Sequence, residues 1–112
     1  MDSGDFEKSN VFVIAELIEC SPPIAATKAI VRKNTGTISA TVLEAGTRFE
    51  DTKPHDTFIQ IIDGSAEIYI DDNGSILDPG QCIIIPAHSR TTVVARARVK
   101  MITTVIKSAY ED

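Results

Sequence analysis

The sequence reads Gly46-Thr-Arg-Phe-Glu-Asp-Thr-Lys-Pro-His-Asp-Thr-Phe-Ile-Gln-Ile-Ile-Asp-Gly64 in one block and Gly80-Gln-Cys-Ile-Ile-Ile-Pro86-Ala-His88 in a second. Each block joins turn-forming glycine or proline to an apolar run rich in β-branched residues, which is typical of strands linked by tight turns. Asp63-Gly64 lies between the runs 58–62 and 66–70, and an Asp-Gly link between two such runs predicts a β-hairpin.

The same pattern continues on both sides of these blocks. Strands are predicted over 29–32, 37–43, 58–62, 66–70, 82–85, 91–95 and 99–106. Turns are predicted at 34–36, at 72–74 and at 78–81, where Pro79 and Gly80 take the central positions of a type II turn. Many short strands at this spacing, with almost no helix, indicate a sandwich or barrel.

Two of these strands carry a more detailed prediction about burial. Residues 66, 68 and 70 are apolar and alternate with Glu67, Tyr69 and Asp71, so one face of that strand should meet water or a partner. The run 82–85 is apolar without alternation, which predicts a short strand covered on both faces.

The two ends of the chain differ from its middle. Residues 1–9 form a loose polar lead-in, and residues 108–112 form a polar tail. Apolar residues recur with helical spacing over 13–19, and Pro22-Pro23 follows, so one short helix is predicted there, covering an open end or edge of the sheets. With 112 residues and no linker or repeat, the chain is expected to be one domain, residues 1–112.

Composition excludes several classes of protein. No apolar run reaches the roughly eighteen residues of a spanning helix. The acidic start lacks the features of a secretory signal, so a cytoplasmic location is expected. A net charge of −5 argues against a nucleic-acid partner, and the basic residues near the C-terminus are interpreted as a solvated sheet face (Arg90, Arg96, Arg98 and Lys100). Cys20 and Cys82 lack metal-ligand spacing and are expected to be buried, reduced thiols.

On these two blocks the chain resembles the cupin superfamily, small double-stranded β-helix (jelly-roll) barrels with two glycine-containing signature motifs. Thr57, six residues and Gly64 match the end of the first motif, and Gly80, five residues and Pro86 match the opening of the second. The motifs cover about half the chain. The resemblance therefore implies an all-β cupin barrel, here with one short N-terminal helix.

In cupins three histidines and a glutamate of these motifs hold a divalent metal. Counting back from Gly64, Asp51 and Lys53 take the places of two histidines and Thr57 that of the glutamate, with Gly46 one residue closer than usual. In the second motif Thr91 takes the histidine position, His88 a position where glycine is common, and Ala95 the asparagine position. Transition metals favour imidazole and carboxylate ligands, so a metal bound in the family manner is not expected.

Six residues remain as candidates for binding a ligand in the barrel. They are Asp51, Lys53, His55, Thr57, His88 and Thr91. Lys53 could anchor a carboxylate or phosphate, act as a Schiff-base former or base, or simply face solvent. The two histidines could join Asp51 in a displaced divalent-metal or acid-base site, or could sit in exposed loops. The threonines could recognise a polar ligand, or serve only as good strand residues.

Two functions of different class follow. The preferred one is metal-independent binding of a small polar or anionic molecule in the barrel, with no cofactor and no catalytic residue. The alternative is an isomerase, lyase or oxygenase acting on a small sugar, organic acid or similar metabolite through a displaced metal or acid-base site at Asp51, His55 and His88. The resemblance also implies a homodimer, and neither nucleic acid nor membrane is an expected partner.

Overall fold

The computed structural model of the protein describes residues 8–13 and 25–107, which contain nine strands and no helix. The strands are β1 Ala25–Lys33, β2 Gly36–Leu43, β3 Arg48–Thr52, β4 Asp56–Asp63, β5 Ala66–Ile70, β6 Asn73–Leu77, β7 Cys82–Ile85, β8 Arg90–Ala95 and β9 Val99–Ile106. Apart from Val13, which is in no regular element, the helix predicted over 13–19 lies outside the described residues. In the described ranges no helix is long and apolar enough to cross a membrane.

The strands form two antiparallel sheets. The five-stranded sheet has the order β1-β2-β9-β4-β7, and the four-stranded sheet has the order β3-β8-β5-β6. Strands that are neighbours in space are often far apart in sequence, which is the jelly-roll arrangement expected from the sequence. The main core cluster draws on both sheets: Leu43, Ile59, Ile61, Ala66, Ile68, Leu77, Ile85, Val93, Ala95, Val99 and Met101.

Period-two patterning decides which side chains face this core. In β4 the buried residues are Thr57, Ile59 and Ile61, and the residues between them are only half-buried. In β5 Ala66 and Ile68 are buried, whereas Glu67 and Tyr69 on the other face are not. The two faces predicted for β5 are therefore confirmed.

The hairpin predicted at Asp63-Gly64 is wrong. Strand β4 pairs with β7 and β9, and β5 pairs with β6 and β8, so the two strands belong to different sheets. Gly64 has a φ of +82° and lies so close to the backbone of Arg98 that a Cβ there would overlap its carbonyl oxygen. A short Asp-Gly link suits any sharp reversal that needs positive φ, and here it turns the chain from one sheet into the other.

The turn after β5 lies one residue earlier than predicted. Ile70 pairs with Asn73, so Asp71 and Asp72 form a two-residue hairpin loop, and Asp71 has a φ of +56°. Asn73 and Gly74 belong to β6, a strand that was not predicted; β3 was not predicted either. Gly74 makes room for an aromatic ring, because a Cβ there would lie 2.6 Å from Cε2 of Tyr69.

The turn between β6 and β7 has the predicted form. The backbone N–H of Gln81 donates to the carbonyl of Asp78 at 3.0 Å, and Gly80 has a φ of +89°, as a type II turn requires. The Oε1 atom of Gln81 also accepts a hydrogen bond from the Asp78 backbone at 2.7 Å.

Strand β7 is not covered on both faces. It is an edge strand that pairs only with β4, and its Ile84 is 66% exposed. The thiol of Cys82 is free and exposed, which corrects the prediction of a buried thiol, and Cys20 lies outside the described residues. An apolar run alone does not distinguish a buried central strand from an apolar edge strand.

The basic residues near the C-terminus do not form one sheet face. Arg90 begins β8 in the four-stranded sheet and Lys100 lies in β9 of the five-stranded sheet. Arg96 and Arg98 are exposed in the connection between these strands. The four charges are therefore distributed over two sheets and a turn.

Candidate ligand-binding cavity

A cavity of about 690 Å³ opens between the two sheets. Its hydroxyl-bearing lining residues are Thr27, Thr37, Ser39, Thr41, Thr47, Thr57, Ser89, Thr91 and Thr103. Its apolar lining residues are Leu43, Phe49, Ile59, Ile85, Pro86, Val93, Met101 and Val105. Four further side chains can carry charge, namely Asp51, Lys53, His55 and Lys107. The size and mixed character of the lining are those of a small-molecule site.

Strand register explains why these residues meet. Thr57 on β4 pairs with Ile85 on one side and with Val105 on the other. On the facing sheet Asp51 pairs with Thr91. Because side chains in a strand alternate between two faces, every second residue of these strands points into the cavity.

Five of the six residues predicted from the sequence line this cavity: Asp51, Lys53, His55, Thr57 and Thr91. His88 is not among the lining residues. It is exposed in the connection between β7 and β8, with a φ of +71°, and its backbone N–H donates to the Lys53 carbonyl at 2.7 Å. A positive φ favours glycine, which accounts for the glycine that is common at this position of the cupin motif.

The ammonium of Lys53 forms an ion pair with the carboxylate of Asp51. The two side chains are 38% and 40% exposed, so water screens the attraction and its contribution to stability is small. Lys53 therefore faces the cavity with its charge balanced, rather than facing bulk solvent alone.

Thr57 and Thr91 are both buried, and each hydroxyl bonds within its own chain segment. The Thr57 hydroxyl donates to the carbonyl of His55 at 3.4 Å, and the Thr91 hydroxyl donates to that of Ser89 at 3.5 Å. Each bond reaches back two residues and uses only the hydrogen of the hydroxyl. The lone pairs of each oxygen therefore stay available to accept a hydrogen bond from a ligand.

Other lining hydroxyls have no such bond. The side chains of Thr37, Ser39, Ser89 and Thr103 make no hydrogen bond to any residue in 8–13 or 25–107. Ser39 and Thr103 are direct partners on β2 and β9, so two free hydroxyls lie side by side on one wall. Ser39 was missed in the sequence because only the strand register places it beside Thr103 on the same face.

Lys107 was missed for a different reason, since the sequence suggests a tail after β9. Its backbone N–H donates to the Thr35 carbonyl at 2.8 Å, which holds the residue beside the β1–β2 turn. Lys107 continues the alternate positions Thr103 and Val105 of β9, and its side chain is half-buried in the cavity lining.

A second, smaller depression of about 340 Å³ lies on the outer face of the four-stranded sheet. Its arginines are paired: Arg48 contacts Glu50 at 3.0 Å and Arg90 contacts Asp72 at 2.9 Å. Because both arginines are already paired, this depression has less to offer an anionic ligand than the cavity between the sheets.

Comparison with solved structures identifies the architecture. A conserved protein of unknown function from Streptococcus pyogenes superposes with a TM-score of 0.85 at 23% identity, over 93% of this chain and 92% of that chain. A cupin superfamily protein from Desulfitobacterium hafniense superposes with a TM-score of 0.82 at 23% identity, over 94% and 96% of the two chains. The chain has the cupin fold.

A larger enzyme shares this cupin fold over part of its length. Salicylate 1,2-dioxygenase from Pseudaminobacter salicylatoxidans superposes with a TM-score of 0.70 at 16% identity, over 75% of this chain and 26% of the dioxygenase. No protein-family model and no curated protein matches the sequence.

The usual metal of the cupin fold does not fit the residues present. At the four ligand positions the structure places the Asp51–Lys53 ion pair and the two buried threonines, Thr57 and Thr91. An ammonium repels a cation, and neutral hydroxyls are weak ligands for transition metals. Nor does the described part of the chain bring three His, Cys, Asp or Glu side chains together elsewhere. Of the alternative trio, Asp51 and His55 line the cavity and His88 does not.

Proposed function

We propose that this protein binds a small polar or anionic molecule in the cavity between its sheets and breaks no bond in it. The observation that supports this most strongly is the Asp51–Lys53 ion pair in the lining of an open cavity, at two positions where the cupin resemblance would place metal ligands. The Asp51–Lys53 pair and the hydroxyls of Thr57 and Thr91 offer hydrogen bonds and charge, and no strong metal ligand set. An ion-paired ammonium is also not the neutral amine that Schiff-base chemistry at Lys53 would need.

Elemental analysis tests the metal-independent part of this proposal. Protein purified without chelator and without a nickel column should contain well under one equivalent of iron, manganese, zinc or nickel. One equivalent of any of these metals would contradict the proposal.

A ligand panel tests the binding part. Thermal unfolding should be recorded with neutral sugars, inorganic phosphate, short organic acids, octanoate and octan-1-ol, since a ligand that binds only the folded state raises the midpoint. Line broadening or shifts of cavity residues in NMR spectra should accompany any rise. If no compound of the panel binds, the binding proposal fails.

The second candidate is an isomerase, lyase or oxygenase acting on a small metabolite. The fold match to a dioxygenase and the presence of Asp51 and His55 in one cavity favour it. Asp51 already pairs with Lys53, and His88 is outside the cavity, so a displaced metal or acid-base site would rest on His55 alone. A bound metal that is lost in His55→Ala, with unchanged circular dichroism, would favour the enzyme over the binder.

We also propose that the protein forms a homodimer through the outer face of the five-stranded sheet. One cross-strand row on that face consists of Ile84, Phe58, Thr104 and Ile38. Ile84, at the end of this row, is 66% exposed. Ile106, beside this row, is 61% exposed. The half-buried Phe58 lies on β4, between the strands of these two exposed isoleucines. Exposed apolar side chains that share one sheet face are typical of an interface. The cytoplasmic location stays a prediction from the sequence.

A further inference from the structure

The cavity contains one positive charge that no carboxylate of the described chain balances. Asp51 is the single acidic residue in the lining, and its carboxylate is paired with Lys53. Lys107 makes no ion pair with any residue in 8–13 or 25–107. A half-buried ammonium gains most from a partner that brings a negative charge.

Lys107 lies at the same end of the cavity as the other nitrogen-bearing side chains. Asp56 pairs with Ile106, so the preceding His55 and the following Lys107 are adjacent at the ends of β4 and β9. Lys53 and His55 lie in the three-residue connection between β3 and β4, which places Lys53 at that end as well. The hydroxyl of Ser89, from the β7–β8 connection, joins this group in the lining.

The lining changes character further along the strands. Phe49 pairs with Val93 on the four-stranded sheet, and Ile59 lies across from them on β4, one alternate position beyond Thr57. Met101 and Leu43 continue the apolar lining on the five-stranded sheet. The cavity is thus cationic at one end and apolar beyond it, with the Ser39–Thr103 hydroxyls on one wall.

We propose that the ligand is an organic monoanion with an apolar body, held with its carboxylate at Lys107 and His55 and its body against Phe49, Ile59 and Met101. This rests on the proposed binding function and specifies the ligand class. The ammonium of Lys107 donates charge-assisted hydrogen bonds to the anion, and these are stronger than bonds between neutral groups. Burial of the apolar body supplies a second, independent part of the binding free energy.

The test compares octanoate, octan-1-ol and octylamine, which share one apolar chain and differ in charge. Isothermal titration calorimetry should find octanoate binding at least about tenfold more tightly than octan-1-ol, and octylamine more weakly than either, as expected for a charge-assisted contact. Lys107→Met should weaken octanoate binding about tenfold and leave octan-1-ol unchanged. Lys107→Arg should keep most of the octanoate affinity.

Lys8→Met is the matched control, because it removes the same charge from an exposed residue outside the cavity. It should leave octanoate binding unchanged. Circular dichroism should confirm that every variant folds.

The outcomes separate this inference from the binding function. If octanoate and octan-1-ol bind with equal affinity, or if octylamine binds most tightly, the ligand is not an organic monoanion. The proposal that the cavity binds a small molecule would still stand. If inorganic phosphate binds and octanoate does not, the proposal that the ligand has an apolar body is wrong. Failure of every compound in the wider panel overturns the binding function itself.

Discussion

Asp51 and Lys53 form an ion pair within the cavity, at the two alternate positions where the cupin motif has its paired histidines. The positions that usually combine to hold a cation are here occupied by a cation and its counter-ion. Because of this relationship, the predicted loss of the metal site can be tested by restoring the ligands.

We predict that restoring four ligands creates a metal site. A variant carrying Asp51→His, Lys53→His, Thr57→Glu and Thr91→His should bind about one equivalent of Ni²⁺ or Zn²⁺, because all four side chains line one cavity. Equilibrium dialysis with metal analysis measures this. The wild type and the single variant Lys53→His serve as controls, and a well-folded quadruple variant that binds no metal would show that the four positions do not converge.

Breaking the ion pair should change ligand binding more than stability. Asp51→Asn is expected to lower the free energy of unfolding by no more than about 1 kcal/mol, because both side chains are more than a third exposed. It should strengthen octanoate binding severalfold, since the Lys53 charge is released. Glu50→Gln, which breaks an exposed pair with Arg48 at 3.0 Å, is the control and should not affect octanoate. Urea denaturation and calorimetry measure the two effects.

Gly64 and Gly46 should respond differently to alanine. Both have positive φ, +82° and +87°, but a Cβ at Gly64 would overlap the Arg98 carbonyl oxygen, whereas a Cβ at Gly46 would meet open space. We expect Gly46→Ala to lose about 1–2 kcal/mol of stability from the backbone conformation alone, and Gly64→Ala to lose about 3 kcal/mol or more because steric overlap is added. Urea denaturation of both variants is the measurement, and equal losses would contradict the close approach.

The free hydroxyls on the cavity wall should matter for binding and little for folding. Ser39→Ala and Thr103→Val remove side chains that have no hydrogen-bond partner in the described structure, so stability should change by at most about 0.5 kcal/mol. Affinity for a hydroxylated or oxo-substituted carboxylate should fall relative to octanoate. Thr104→Val, on the opposite face of β9, is the control, and an effect there as large as that at Thr103 would argue against a wall contact.

Dimer formation should depend on Ile84. Light scattering of the wild type at low micromolar concentration should give twice the 12.1 kDa chain mass. Ile84→Lys, on the outer face of the five-stranded sheet, should give the chain mass alone, because a lysine ammonium cannot be buried unpaired. Ile76→Lys, at a 53% exposed position of β6 in the other sheet, should remain dimeric. A monomeric wild type would remove the dimer proposal.

The sequence predicts local structure well where one residue type has one physical role. The type II turn at 78–81 and the two faces of β5 follow directly from Pro79-Gly80 and from strict alternation. Strand β6 could not be predicted in this way, since Asn73-Gly74 has the composition of a turn. Its glycine is required by the ring of Tyr69 on the neighbouring strand, which is a tertiary contact.

Pairing between distant strands accounts for the other differences. An Asp-Gly dipeptide such as Asp63-Gly64 suits both a hairpin turn and a connection between two sheets. Only the pairing partners of β4 and β5 show which of the two is present. Thr57 and Thr91 could be predicted as cavity residues because they lie at fixed positions of the cupin motif. The spacing of that motif reflects which strand positions face the cavity. Lys107 and Ser39 lie outside the motif, so their position became apparent only from the pairing of β9 with β2.

The order β1-β2-β9-β4-β7 places the last of the nine strands in the middle of its sheet. Strands β2 and β4 cannot be joined until β9 is available between them. During synthesis the edges of β2 and β4 that pair with β9 therefore stay unpaired until β9 has been made. The five-stranded sheet is then completed late, through contacts between residues distant in sequence. Removing the C-terminal strand would divide the sheet, whereas removing β1 would only narrow it.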